Sequence, residues 1–217
     1  MRAAVTGWTA AARGDSGVKS DTRDTIVDAA RECIQQFGLS NTTAEKIAER
    51  AGISRRTLYR HFDGRRHVIG AVLMRASAET VPHVDRRMRL YDEPLEMLVE
   101  GFLASLEAVR SHPVLAILQS PDDFRSLVPP AWTGTPVLRQ AYGAYAEALP
   151  AVAVEDLVAL SEQVTRLLLA TLWLGDRDPL QRDPEKLRER LRSWLGPHVA
   201  HHCALQQAAS RDEPTAS

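Results

Sequence analysis

The chain has 217 residues, 44% hydrophobic and 25% charged, and its 27 Lys and Arg against 28 Asp and Glu leave a formal charge of -1. This is the composition of an ordinary soluble globular protein, so disorder along the whole length is excluded, as is a polycation; any nucleic-acid footprint has to be local. Two cysteines, Cys33 and Cys203, make neither a disulfide framework nor a Cys-rich metal site and suit a reducing cytoplasm, while the longest apolar stretch, Leu167 to Leu174, is far below the roughly 18 residues needed to cross a bilayer.

Apolar residues recur at helical spacing almost everywhere and no alternating β-branched run is flanked by hairpin turns, which predicts an all-α fold. Residues 1–20 read as a flexible leader, the Ala-rich patch there being broken by Gly7, Trp8 and Thr9. Residues 22–37 place Ile26, Ala30, Cys33, Ile34 and Phe37 on one stripe, and Gly38 is suited to end that helix in a left-handed conformation. Thr42, with Glu45 three residues later, reads as a capping box opening a second helix that buries Ile47, Ala48 and Ala51 and ends at Gly52.

Ser54 then caps a third helix, Arg55 to Phe62, in which Leu58 and Phe62 point inward and Arg55, Arg56, Thr57, Tyr59, Arg60 and His61 point outward. A fourth helix begins near Gly64, where Arg65 and Arg66 can hold a phosphate, and Pro82 is placed to kink or end it. Further helices are predicted at 94–110, 112–119, 136–149, 154–175 and 184–202, with Pro94, Pro113, Pro136 and Pro184 in first turns; the tail after Gln206 reads as disordered. The domain reading is therefore 21–66, 67–206 and a tail at 207–217.

Charge is distributed unevenly. Between Lys19 and Gly70 ten bases face seven acids, and five of those bases lie between Arg55 and Arg66, whereas from residue 71 onward 15 bases face 20 acids. Two short helices joined by a tight turn at Gly52, the second edged with guanidinium, hydroxyl, phenol and imidazole groups, form a helix-turn-helix. A helix of eight residues is about 12 Å long, which fits a major groove about 12 Å wide. There arginine forks can pair with guanine O6 and N7, and hydroxyls with phosphate.

The run Thr43-Ala44-Glu45-Lys46-Ile47-Ala48-Glu49-Arg50-Ala51-Gly52-Ile53-Ser54, followed by Thr57-Leu58-Tyr59-Arg60-His61-Phe62, resembles the TetR family of transcriptional regulators. By motif the resemblance covers residues 21–74. It implies that Thr43 contacts a backbone phosphate, that Arg55, Arg56, Thr57, Tyr59 and His61 face DNA, and that Arg65 stands where a lysine is common. Arg56 departs from a position that is often small, and Arg66 from one that is often acidic.

The larger half is predicted to be a ligand-binding and dimerisation domain. The helix at 154–175 is apolar nearly all round and needs covering on two sides. The resemblance implies a homodimer in which it and the next helix form a four-helix bundle with their symmetry mates, through Leu160, Val164, Leu168, Leu172, Leu187, Leu191, Trp194 and Leu195. A twofold axis then implies a palindromic operator. The family further implies a small-molecule effector that releases the protein from DNA, and the candidate wall is Phe102, Leu106, Gln119, Phe124, Trp132, Tyr142, Tyr145, Gln163, Arg166 and Trp173.

An enzyme finds little support: there is no G-x-S-x-G, P-loop, G-x-G-x-x-G, H-E-x-x-H or Glu-x-x-His, and no cofactor is expected. His198, His201, His202 and Cys203 form the one cluster suited to zinc or copper, which keeps a metal-responsive regulator as an alternative, although a polar helix end is the preferred reading. A nonspecific nucleoid protein is disfavoured by the acidic remainder.

Overall fold

The computed structural model describes residues 17–122, 154–175 and 183–211. The described residues form α1 (Gly17–Phe37), α2 (Ala44–Arg50), α3 (Arg55–His61), α4 (Arg65–Met88), α5 (Pro94–Ser111), a 3-10 turn at Leu115–Gln119, α6 (Val154–Leu174) and α7 (Pro184–Arg211), with no strand among them. The predicted helix at 136–149 lies outside the described residues. The chain divides into two compact units, 1–72 and 73–217.

In the first unit, the stripe read from α1 is the buried one: Ile26, Ala30, Cys33 and Ile34 are enclosed, together with Ile47 of α2, Leu58 of α3 and Val68 and Ile69 of α4. Gly38 ends α1 at φ +74°, its N–H donating to Ile34 O at 3.0 Å. That conformation is left-handed, and a glycine adopts it without the Cβ penalty of other residues. Gly52 does the same after α2, at φ +66°.

The cap of α2 is displaced by one residue from the sequence reading. Thr43, not Thr42, accepts the N–H of Lys46, at 3.3 Å. Thr42 is wholly buried and donates its hydroxyl to Gly38 O at 2.8 Å, closing the end of α1. The Gly38 turn thus takes up the first hydroxyl and leaves the second to begin the helix.

In the second unit, α5 packs against α7, α6 and the 3-10 turn. Leu98, Phe102, Leu106, Leu115 and Leu191 are among its buried side chains. Pro94 and Pro184 open α5 and α7 as expected, but α7 continues through Pro197 to Arg211. Pro82 does not end α4, which runs on to Met88. The segment read as an α-helix at 112–119 is only the 3-10 turn. There His112 Nδ1 accepts the N–H groups of Val114 and Leu115 at 3.2 and 3.3 Å, occupying donors at the point where a longer helix would start.

One buried acid organises this unit. Glu100 is 2% exposed and receives Arg188 Nε at 2.7 Å on Oε1 and Arg87 Nε at 3.0 Å on Oε2. Burial by itself pushes its carboxyl up, but the hydrogen bonds from Arg188 and Arg87 outweigh it and hold the group below the usual carboxylate range. One turn earlier on α5, Glu96 takes a two-pronged contact from Arg192, at 2.7 and 2.9 Å. No helix among the described residues is long and apolar enough to cross a membrane.

Candidate nucleic-acid interface

Ser54 begins α3 as expected: its hydroxyl accepts the N–H of Thr57 at 3.1 Å and sits 3.0 Å from the Thr57 hydroxyl. Leu58 and Phe62 are the anchors, 0% and 4% exposed. They leave Arg55, Arg56, Tyr59 and Arg60 on the open edge, while Thr57 and His61 are half-buried at its margins. Tyr59 is 48% exposed, which for a large aromatic ring leaves a broad contact surface.

The bases of this unit divide into two groups. Several brace the fold. Arg23 donates to His61 O at 3.0 Å and lies over the Phe62 ring, 4.1 Å from its centroid, tying α1 to the end of α3. Lys46 donates to Asn41 O at 3.0 Å and covers Phe37. Arg50 bonds Glu32, at 3.1 Å, and Gln36, tying α2 to α1.

Arg65 is one of these braces: its guanidinium donates to the backbone carbonyls of Thr42 and Leu39, holding the loop before α2. Position in the sequence suggested an outward base, but the carbonyls at the end of α1 draw it inward. Arg66, its neighbour, is exposed.

Arg55 has a partner that the sequence reading did not identify. Its guanidinium meets Glu45 of α2 at 2.8 Å and lies 6.0 Å from the centre of the Tyr59 ring. A hydrogen bond donated to the Tyr59 oxygen, with the Glu45 charge adding to it, raises the Arg55 pKa further, so the group is always charged. No local periodicity links positions 45 and 55, since they lie on different helices. The proposed phosphate contact, Thr43, is half-buried as the α2 cap.

In the second unit, the expected dimer residues Leu160, Val164, Leu172, Leu187, Leu191 and Leu195 are buried within the single chain. They cover their own unit's core, and Val164 and Leu195 also line an open groove along α6 and α7. Leu168 is half-buried, and Trp194 is 52% exposed.

Of the expected effector wall, Phe102 and Leu106 are core side chains and Gln119 is exposed. Trp173 donates its indole N–H to Leu118 O at 3.0 Å and is otherwise partly open. Gln163 and Arg166 instead line a groove of about 430 Å³ with Leu167, Ala170, Trp194 and His198. Phe124, Trp132, Tyr142 and Tyr145 lie outside the described residues. His198 and His201 are exposed, the side chains of His202 and Cys203 fall outside the description, and no group of three or more metal-ligating residues occurs among the described ones.

A short second helix, a glycine turn and a short third helix with a cationic edge define a helix-turn-helix domain. Residues 26–72 match the family described as bacterial regulatory proteins, tetR family. The match lies within the first unit.

It is 40% identical over 62 residues to the HTH-type transcriptional regulator SrpR of Pseudomonas putida, 29% of either chain. It is 32% identical over 113 residues to an uncharacterized HTH-type transcriptional regulator of Mycobacterium tuberculosis, 52% of this chain and 54% of that one. These matches span from about a third to about half of the relatives' length. Among solved structures, the TetR family repressor AlkX from Dietzia, implicated in biodegradation of n-alkanes, superposes with a TM-score of 0.63 at 20% identity, covering 82% of this chain and 95% of that one. RolR, in complex with its ligand resorcinol, gives 0.58 at 19% identity, covering 92% and 98%. The fold thus extends well beyond the helix-turn-helix.

Proposed function

We propose that the chain is a sequence-specific DNA-binding transcriptional regulator, a repressor released from a palindromic operator by a small-molecule effector, and not an enzyme. One observation carries this reading: α3 is held by Leu58 and Phe62 while Arg55, Arg56, Tyr59 and Arg60 stand on its open edge. A seven-residue helix so presented fits the major groove.

Its site of action is the cytoplasm and its working form is a homodimer, in which exposed apolar residues of α6 and α7, Trp173, Leu174 and Trp194, are covered by a second copy. Half-sites then lie about 34 to 36 Å apart, or a multiple of it. The effector enters the second unit; a protein of the same fold holds resorcinol. The ligand favours the conformation whose reader spacing misfits the operator.

Selection of binding sites from random duplex DNA tests the proposal. An inverted repeat bound about a thousandfold more tightly than random DNA is the expected result. Equal affinity for all duplexes would leave only a nonspecific DNA-coating protein.

A further inference from the structure

Glu45 is an acid placed where a DNA-reading surface gains nothing from negative charge. It stands in the first turn of α2, and its carboxylate meets Arg55 of α3 at 2.8 Å, both side chains being more than half exposed. Its own backbone N–H and the Thr43 hydroxyl hold that carboxyl below the ordinary range, with Arg55 adding to the effect, so it is ionised wherever the protein works. The acid is therefore fixed in place by the cap of α2 and occupies one of the five N–H donors of the first arginine of the reader.

On arbitrary DNA, Arg55 would exchange one carboxylate for one phosphate oxygen. That swap is nearly neutral for Arg55, and it leaves Glu45 unpaired beside a polyanion. A guanine below Arg55 offers two acceptors, O6 and N7, arranged to match the guanidinium fork, and so offers more than the carboxylate does. An interface can gain discrimination from a group that penalises the wrong partner as well as from one that attracts the right one.

We propose that Glu45 is a specificity-determining residue, which holds Arg55 back from phosphates on arbitrary sequence and yields it to guanine. The inference rests on the DNA-reading function above and names the residue that sets its selectivity. Glu45 acts through Arg55, so it is a positioning residue and makes no base contact of its own.

The test compares the full chain, Glu45→Gln, Arg55→Ala and the double variant by fluorescence anisotropy, on a duplex selected by the unaltered protein and on a random duplex, with thermal unfolding as the check on folding. Glu45→Gln should bind the random duplex about two- to fivefold more tightly, the worth of an exposed ion pair. It should gain less on the selected duplex, and its salt slope on random DNA should steepen by about one phosphate contact. In the Arg55→Ala background the gain should disappear.

Survival of the gain without Arg55 would mean that Glu45 merely repels phosphate, and would overturn the proposal. Weaker binding of the selected duplex alone would make Glu45 a buttress of Arg55, with the same consequence. Failure of the unaltered protein to prefer any duplex would remove the DNA-reading function itself, an outcome distinct from both.

Discussion

Arg188 of α7 donates its Nε–H to Oε1 of Glu100 on α5 at 2.7 Å, across 88 residues of sequence. Arg87, near the end of α4, reaches the other oxygen of the same carboxylate, at 2.9 and 3.0 Å. One buried acid therefore joins three helices of the second unit. Its arginines are only partly enclosed, 38% and 21% exposed, so they rehydrate readily when the acid is removed. Glu100→Gln keeps the shape and loses the charge, and should cost about 1 to 3 kcal/mol, below the usual penalty for a fully buried broken pair. Urea unfolding monitored by circular dichroism measures it; an unchanged midpoint would show that the three-helix contact is energetically idle.

The same carboxyl predicts a response to acid. Glu100 is held low by Arg188 and Arg87 against the upward push of burial, and the hydrogen bond from Arg192 holds Glu96 low. A carboxyl whose folded value lies below its unfolded value of about 4.3 contributes stability that is complete above that unfolded value. The contribution is lost as pH falls through the folded value. The unfolding midpoint should therefore be level between about pH 7 and about pH 5 as far as these groups are concerned, and should fall below about pH 4. The gap between the unaltered protein and Glu100→Gln should close over that lower range; a gap that stays constant down to full acid unfolding would contradict the assignment.

Gly101, beside Glu100 on α5, lies against Met88. A Cβ there would sit 2.8 Å from the Met88 sulfur and 2.9 Å from its Cγ, and Met88 is itself buried. In an open helix Gly→Ala gains about 1 kcal/mol, but overpacking costs about 1 to 3 kcal/mol. Gly101→Ala should thus lower the melting temperature despite its better helix propensity. In a Met88→Ala background the same change should raise it, and additivity of the two substitutions would refute the close approach.

Arg65→Ala separates bracing from DNA contact. Loss of the bonds to the carbonyls of Thr42 and Leu39 should destabilise the first unit by about 1 to 3 kcal/mol, as for hydrogen bonds to a charged group. The salt dependence of DNA binding, measured below the melting temperature, should stay the same. A slope reduced by about one phosphate contact would return Arg65 to the DNA.

Arg56→Ala and Tyr59→Ala address the reader itself. Both side chains are exposed and neither anchors α3. Each change should leave the melting temperature within about 0.5 kcal/mol equivalent, while weakening binding of the selected duplex by about tenfold or more. Unchanged affinity in both variants would show that the reading edge lies elsewhere.

The amino-acid sequence alone determined the features that depend on near neighbours along the chain. These include the stripe of α1, the left-handed stop at Gly38, the Ser54 cap, and the pair Leu58 and Phe62 four residues apart. Each follows from backbone geometry or helical period within a few residues, and together they place the open edge of α3.

Tertiary structure decided which neighbour each side chain found. Arg65 turned to the carbonyls of a loop more than twenty residues earlier, and Arg55 to an acid on another helix. Leu160, Val164 and Leu191 were absorbed into their own unit's interior. Periodicity shows that a face is apolar but not whether the same chain or a second one covers it, and charge shows that an arginine needs an acceptor but not where one waits. Those choices are made by contacts between residues far apart in sequence, once the helices have packed.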